Sequence, residues 1–425
     1  MKKLNEINLF RALRSRNFVF YFIGRAVSQF GTWMQRTAVI WVIYTITHSA
    51  FWIGVTIFAE QFPSFLFSFW GGVAADRYDR FKVIQITQVT SIIQSVLLAL
   101  LVLTGHSAVW SILALSLVLG IVNAFDIPAR QSLFNEIIAD PADLSNALSL
   151  STATASLAQL LGPALSGIIL AAWGAATCFF INAASFVGVM VSLMLMDRPS
   201  YHPKEAKKKV TRDFIDGFSY IWKTRSIGLI ILMLAIVSLL VLPYNTVLPV
   251  FAKVIFKGGA KTFGYITSFI SVGAVTGTIF LASRGPGTHM RRILFYSTII
   301  MGIGMIFFSQ VKIFPMAMLF AALTGFGSIA QFTVCNIVVQ SESAPQMRGR
   351  AIGILLMAIF GMMPLGSVIV GAISERIGAP DTVLGEGVLA IIIAMVFVKY
   401  LTTITSDAAK ADIEIEDTKK LWKRD

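Results

Sequence analysis

Charge is scarce in this 425-residue chain. Asp, Glu, Lys and Arg make up 13% of it, about half the roughly 25% of a soluble domain. So little polar material cannot cover a surface in water, which excludes the ordinary soluble class. Cysteine is scarcer still: Cys178 and Cys335 stand alone in different apolar runs and read as small buried hydrophobes, which argues against a disulfide framework. The four histidines (His48, His106, His202 and His289) lie at segment ends or in loops. None forms an H-x-x-H or H-E-x-x-H pair, so metal catalysis has no support. Phosphate loops are missing too. Gly258-Gly259-Ala260-Lys261-Thr262 lacks a glycine before its lysine, and Gly325-Phe326-Gly327-Ser328-Ile329-Ala330 sits in an apolar helix with no strand before it. With no nucleotide site and no nucleophile–base pair, the chain reads as a non-enzyme without a cofactor, drawing on an ion gradient.

What the chain has in quantity is apolar length. Hydrophobic residues reach 56%, with 33 Phe and 16 Met, and mean hydropathy is +0.76. Twelve apolar segments, mostly longer than the ~18–20 residues that span a bilayer, lie at about 18–47, 51–75, 82–103, 109–137, 144–171, 174–196, 226–250, 263–283, 293–311, 315–340, 350–374 and 383–404. The formal charge of +13 is distributed as a membrane orientation signal and argues against nucleic acid as a partner. An inward N-terminus gathers Lys2, Lys3, Arg11, Arg14, Arg16, Arg77, Arg80, Lys82, the basic residues of 198–225 and those of 410–424 on one side. The other side receives Lys253, Lys257, Lys261, Lys312 and Arg376. Both termini are therefore expected in the cytoplasm. The first apolar run is too long for a signal-peptide core and lacks a small-residue cleavage site.

The chain divides at 198–225. Lys204-Glu205-Ala206-Lys207-Lys208-Lys209 is a solvated charge run, and Asp213 to Trp222 alternates apolar and polar residues with helical spacing, as an amphipathic helix at the membrane interface would. A plain solvated linker is the alternative. Gly120 and Gly325, Pro141 and Pro345, Ala147 and Ala351, and Gly162 and Gly366 correspond at an offset of about 205 residues, with Arg77 and Arg284 slightly further apart. That shared register points to two six-helix halves, 1–197 and 226–404, followed by a charged tail, 405–425.

The densest charge cluster, Gly72-Val73-Ala74-Ala75-Asp76-Arg77-Tyr78-Asp79-Arg80-Phe81-Lys82, lies between segments 2 and 3. A hairpin in lipid needs a turn in water, yet two acids among three bases exceed what orientation requires. In its G-x-x-x-D-R-x-x-R frame the run resembles the cytoplasmic loop between helices 2 and 3 of the major facilitator superfamily. The resemblance implies that Gly72 permits close helix packing and that Asp76 and Arg80 latch a gate with an acid on helix 4, here Glu136. Asp79 departs from the family pattern, which has glycine there. In segment 5, Ala158 to Gly167 resembles the G-x-x-x-G-P-x-x-G-G signature of proton-driven exporters, with Gly162, Pro163 and Gly167 retained and Ala158 and Ser166 in place of glycines. The flanking stretches Ser28-Gln29-Phe30-Gly31-Thr32-Trp33-Met34-Gln35, Phe125-Asp126-Ile127-Pro128-Ala129-Arg130-Gln131 and Pro345-Gln346-Met347-Arg348-Gly349-Arg350 are similar to the enterobactin-exporter-like, transmembrane secretion effector branch. That likeness runs to about residue 404 and implies proton-driven efflux, with siderophores and drugs as substrate classes.

An ionisable group inside an apolar helix is costly and marks a pathway or relay by default. Arg25, Gln29, Thr32 and Arg36 fall within about 60° of one another and form one polar stripe. Arg36 and Glu60 share a depth on neighbouring segments and are expected to pair. Ser116, Asn123, Asp126 and Arg130 share a face of segment 4, allowing for a kink at Pro128, and Asp126 is within reach of Arg25. These charges are either ion pairs that fix helix packing or a relay in which Glu60 and Asp126 exchange protons. Three arginines against two acids favour an anionic solute, contacted by Arg25, Gln29, Arg36 and Asn123. Tyr244, Asn245, Gln331 and Asn336 either line the same cavity or hydrogen-bond between helices. Glu386, near the end of segment 12, reads as interfacial.

The expected protein is thus an all-α, twelve-helix major facilitator in the bacterial inner membrane. It would be a monomer that exchanges protons for a siderophore, drug or similar small molecule by alternating access between its halves, with membrane lipid around it. The rival readings are a lipid or lysolipid flippase and a non-transporting membrane sensor or assembly partner.

Overall fold

A computed structural model describes residues 11–138, 140, 143–197, 210–284 and 289–398. The expected tail, the charge run of the linker and the termini lie outside these. The described residues are helical and contain no strand. The first six long helices are α1 (Arg16–Thr47), α2 (Ala50–Arg77), α3 (Arg80–Leu103), α4 (Val109–Ile137), α5 (Leu144–Trp173) and α6 (Ala175–Leu195). After α7 (Val210–Lys223) come α8 (Arg225–Leu240), the short α9 (Leu248–Val250), α10 (Ala260–Ala282), α11 (Met290–Gln310), α12 (Phe314–Glu342), α13 (Arg348–Ile377) and α14 (Ala379–Val398). Among the described residues, 11 spans are long and apolar enough to cross a membrane. The 32-residue α1 has the length but carries Arg25, Gln29, Gln35 and Arg36 along it. With α1 the twelve expected segments are accounted for.

Short polar residues set the turns. The hydroxyls of Ser15 and Ser49 cap α1 and α2 by accepting from Phe18 N and Trp52 N. Asp79 Oδ1 accepts from Phe81 N at 3.0 Å and caps α3, which explains an acid where the family has glycine. Gly174, at φ 80°, turns α5 directly into α6 in a conformation that glycine adopts without a Cβ clash.

The seventh segment is broken, which the sequence reading missed. Helix α8 stops at Leu240, 3₁₀ geometry follows over Leu242–Val247, and after α9 a π turn covers Phe251–Ile255. Pro243 has no N–H to offer the Leu239 carbonyl, so the helical ladder fails there. Gly366 of α13 lies against that carbonyl, where a Cβ would collide with it. Irregular backbone at this depth is tolerated when protein surrounds it, and Val241, Pro243, Val247 and Leu248 are buried.

The chain forms two compact units. Unit 1 is Met1–Lys208 with Asn245–Ser271 and Ser367–Ala379; unit 2 is Lys209–Tyr244, Val272–Gly366 and Pro380–Asp425. In unit 1 the apolar core is two clusters at different depths. One holds Ile43, Ile53, Leu98, Ile112 and Phe179, and the other Phe18, Ala75, Ile84, Leu133 and Val189. Between them on the same five helices sit Ser28, Glu60, Gln88, Gln94, Asp126 and Asn182, all buried. The candidate site is this polar layer.

Unit 1 also includes two glycine crossings at the end bearing the α1–α2 turn. Gly54 of α2 and Gly371 of α13 each lie against the other helix's backbone, at Ser367 and Ala50. Gly167 of α5 and Gly264 of α10 do the same, with a Cβ on Gly264 only 2.5 Å from the Pro163 carbonyl oxygen. Glu375 accepts from the Ser49 hydroxyl and the Phe51 N–H, placing a carboxylate on the N-terminus of α2. In unit 2, α7 packs Gly217 against Arg350, and its Tyr220 hydroxyl accepts from Ala344 N at 3.0 Å. Its Phe218 and Trp222 rings stack with centroids 6.3 Å apart and stay exposed.

Candidate transport site and latch

Arg36 and Glu60 meet as their shared depth requires. Arg36 Nε donates to Glu60 Oε1 at 2.9 Å, and Nη2 lies 2.8 Å from the same oxygen. The guanidinium also rests 5.2 Å from the centre of the Trp33 ring. The carboxylate is buried, whereas the arginine side chain keeps 32% of its surface exposed. Gly120 makes this possible from α4: a Cβ there would stand 2.5 Å from the Glu60 carbonyl oxygen. Trp33 is fixed from α5, where a Cβ on Gly162 would stand 2.6 Å from the Trp33 Cβ. Ser166 Oγ donates to the Met34 carbonyl in the same seam, at 3.0 Å. The segment 5 motif therefore positions the aromatic ring on which Arg36 lies, and through Gly167 it also carries the crossing with α10.

Asp126 is held differently from the expectation. Its Oδ1 accepts from the Thr87 hydroxyl at 2.7 Å and Gln88 Nε2 at 3.1 Å, while Oδ2 accepts from Arg130 Nε one helical turn away. Arg130 is also hydrogen-bonded to Tyr21. The partner is thus Arg130 and not Arg25. Residues four apart on a helix face one another at every rotation, whereas Arg25 would have had to reach from α1. Arg25 stays within electrostatic reach of Arg130, Tyr21 and Asp126 but forms no ion pair among the described residues. With two acids matched to two arginines, Arg25 is the surplus cation. Asn123 is half-buried on the same face of α4 as Asp126, and Gln29 holds a buried Oε1 with no partner in the described residues.

A second polar cluster escaped the sequence reading. Gln35 Oε1 accepts from Ser95 Oγ at 2.7 Å and Asn182 Nδ2 at 2.8 Å, and Gln35 Nε2 donates to Gln94 Oε1 at 3.0 Å. Gln94 Nε2 in turn donates to the Leu115 carbonyl at 3.2 Å. This network ties α1, α3, α4 and α6 together and keeps no group of Gln35 free, so it reads as helix glue.

The four uncharged candidates separate. Gln331 is fully buried with neither amide atom bonded in the described residues, which sets it in a helix interface and not on a cavity wall. Asn336 Oδ1 is taken by Gln340 Nε2 on its own helix at 3.2 Å. Tyr244 is buried and Asn245 half-buried, on the 3₁₀ stretch where the chain passes from unit 2 to unit 1. Glu386 is buried, against the interfacial expectation.

At the end bearing the α2–α3 turn, Arg80 pairs with Glu136 and donates from Nε to the Ala75 carbonyl at 3.1 Å. This joins the start of α3 to the ends of α2 and α4. Asp76 is exposed and outside the pair, and Arg77 is exposed beside it. Gly72 has open space where a Cβ would stand, so the packing role assigned to it is corrected to Gly71, whose Cβ would collide with the Ala124 carbonyl oxygen. One residue turns a helix by 100°, enough to exchange the buried face for an open one. Unit 2 carries a counterpart the motif does not announce: Arg291 Nη2 lies 2.6 Å from Glu342 Oε1, joining the start of α11 to the end of α12.

Comparison with known proteins places these features. Residues 7–419 match the transmembrane secretion effector family of the major facilitator superfamily. The chain belongs to that family. It is 26% identical over 383 residues to the staphyloferrin A transporter of Staphylococcus aureus, covering 89% of this chain and 94% of that protein. To the multidrug efflux pump Tap of Mycolicibacterium fortuitum it is 21% identical over 378 residues, 87% of this chain and 91% of the pump. A solved structure of a point mutant of the nucleoside transporter NupG superposes with a TM-score of 0.73 at 12% identity, covering 90% of this chain and 99% of that one. That likeness is one of fold. The family member is a multi-pass membrane transporter, and its expected helix architecture stands.

Proposed function

We propose that the protein is a proton-coupled exporter of a siderophore, a drug or a similar amphipathic or anionic small molecule, in the bacterial inner membrane with both termini cytoplasmic. The observation that carries this reading is the charge arrangement in the polar layer. Arg36–Glu60 and Arg130–Asp126 are matched pairs, and Arg25 is left over. An unmatched cation at membrane depth favours an anionic visitor. The relatives' names, a siderophore transporter and a multidrug pump, supply the solute class.

Of the two pairs, Arg36–Glu60 is the exchangeable one. Asp126 takes three hydrogen bonds around a buried arginine, whereas Arg36 is partly open and, among the described residues, the Glu60 carboxylate has that arginine alone. A solute carboxylate or phenolate arriving at Arg25 from the cytoplasm can also lie on Arg36, which then bridges the solute and the ionised Glu60. When the solute leaves on the outer side, Glu60 takes up a proton there and lets go of Arg36. On the cytoplasmic side the proton leaves Glu60 to water, the Arg36–Glu60 pair re-forms and the next solute binds, so one proton enters for each solute exported. In this cycle Arg25 and Arg36 hold the solute, Trp33 orients Arg36, Glu60 carries the proton, and Arg80–Glu136 latches the cytoplasmic end. The Gly54–Gly371 and Gly167–Gly264 crossings, with Glu375 on α2, close the opposite end.

The test is Arg25→Gln beside Arg25→Lys, with staphyloferrin A and a macrolide as probes. A charged hydrogen bond to the solute is worth about 1.5–3 kcal/mol, so Arg25→Gln should weaken apparent affinity for an accepted anionic probe about 10–100-fold while leaving expression intact. Arg25→Lys should recover part of it. Unchanged affinity in Arg25→Gln would remove Arg25 from the solute site.

A further inference from the structure

Three carboxylates are buried in the described residues: Glu60, Asp126 and Glu386. The first two face arginines. Glu386 lies seven residues into α14, about 10 Å along its axis at 1.5 Å per residue, so it is well inside the span. The residue is 4% exposed, and neither carboxylate oxygen has a hydrogen-bond partner in the described residues. It sits in the buried stripe of its helix, with Ala379, Val383, Ala390 and Ala394, while Val388, Leu389, Ile392 and Met395 form the exposed side. The neighbouring Gly387 makes a reciprocal crossing with Gly302 of α11: a Cβ on either would stand 2.6 or 2.8 Å from the other's carbonyl oxygen. The α11–α14 crossing is therefore tight one residue from the carboxylate.

Among the described residues no ion pair reaches Glu386, and α11, on which Gly387 packs, offers no base at this depth. Between Tyr296, which is exposed, and Gln310, α11 carries no ionisable side chain, and its Arg291 is engaged by Glu342. Ser309 donates to the carbonyl of Ile306. The nearest ionisable group along α14 in the described residues is Asp381, exposed and also acidic. An unaccompanied carboxylate charge in such a place is strongly penalised, so its charge has to be discharged by something that comes from solution. One or two oxygens without further ligands make a poor metal site, whereas a proton needs one oxygen alone.

We propose that Glu386 is a reversible proton-binding site of unit 2, separate from the paired carboxylates of unit 1. Uptake forms one carboxyl O–H bond with a proton from water. Release breaks that bond, returns the proton to water and leaves a charge that the Gly302–Gly387 crossing has no group to match, so the packing of α11 on α14 depends on the proton. The site needs no solute and stands whether or not export is proton-coupled.

The experiment is infrared difference spectroscopy of the full-length protein in lipid nanodiscs, stepped from acid to alkaline pH. The wild type should lose a C=O band of a protonated, water-excluded carboxyl group on the alkaline side. Glu386→Gln, neutral and of the same shape, should lack that band, and Glu386→Asp should shift it. The wild-type melting temperature should fall with the band, and that of Glu386→Gln should not follow it. Identical difference spectra for wild type and both variants would overturn the proposal, as would a Glu386 band that persists unchanged through the alkaline range.

Discussion

In unit 1 the buried acids Glu60 and Asp126 each face an arginine at hydrogen-bonding distance; in unit 2 the equally buried Glu386 faces none in the described residues. The pairs differ from each other as well. Arg130–Asp126 is sealed, with Thr87, Gln88 and Tyr21 closing the shell around it. Arg36–Glu60 is open on the arginine side. A gradation from sealed to open to unpartnered is a gradation in what each carboxylate can do. A sealed one fixes helices, an open one can change partners, and a lone one can exchange only a proton.

The largest effect should come from breaking the sealed pair. Arg130→Ala strands Asp126 among Thr87 and Gln88, and losing one member of a buried pair costs about 3–5 kcal/mol. Folded protein recovered from membranes should drop sharply, and Arg130→Ala with Asp126→Asn should restore much of it. Recovery of the single variant at wild-type levels would dissolve the distinction between the two pairs. Arg36→Ala should cost less, about 1–3 kcal/mol, because the arginine is partly open to water. Its double variant with Glu60→Gln should be the more stable of the two by thermal unfolding in detergent.

Much of this was legible before the structure. Arg36 and Glu60 could be matched because they lie about eleven and about ten residues from the turn that joins their helices, and depth along a helix is a matter of counting. Arg80 and Glu136 were matched by a motif. Counting failed where two bases competed for one acid: Arg25 and Arg130 both lie near the depth of Asp126, and the i, i+4 spacing within α4 was the signal that decided it. It failed again for Gly71 and Gly72, where adjacent glycines differ only in which face of α2 they occupy. The break after α8 had its signal in Pro243, and Glu386 had one in its phase with Ala379, Val383, Ala390 and Ala394. Gln35, Gln94, Ser95 and Asn182 are polar residues on three helices, and nothing in their spacing announces that they converge.

The Arg80–Glu136 pair sharpens the same comparison at the end bearing the α2–α3 turn, with a smaller effect. Glu136→Gln removes the partner of buried Arg80 and should slow export and raise cytoplasmic-side cysteine labelling, whereas exposed Asp76→Asn should change both less. The reverse order would return the latch to Asp76. Smallest of all is the glycine contrast. Gly71→Ala should lower stability by about 1–3 kcal/mol through its collision with the Ala124 carbonyl, and Gly72→Ala should stay within about 0.5 kcal/mol of wild type by the same melting assay.

The central claim is that Glu60 exchanges a proton against the solute, taking it up on the outer side as the solute leaves and giving it to the cytoplasm before the next solute binds. The direct measurement uses everted membrane vesicles with an acid interior, loaded by whichever of staphyloferrin A or a macrolide the wild type accumulates. Wild type and Glu60→Gln are compared for gradient-driven accumulation and for solute-for-solute counterflow at equal pH. The account predicts that Glu60→Gln keeps counterflow and loses accumulation. Undiminished gradient-driven accumulation in Glu60→Gln would contradict it.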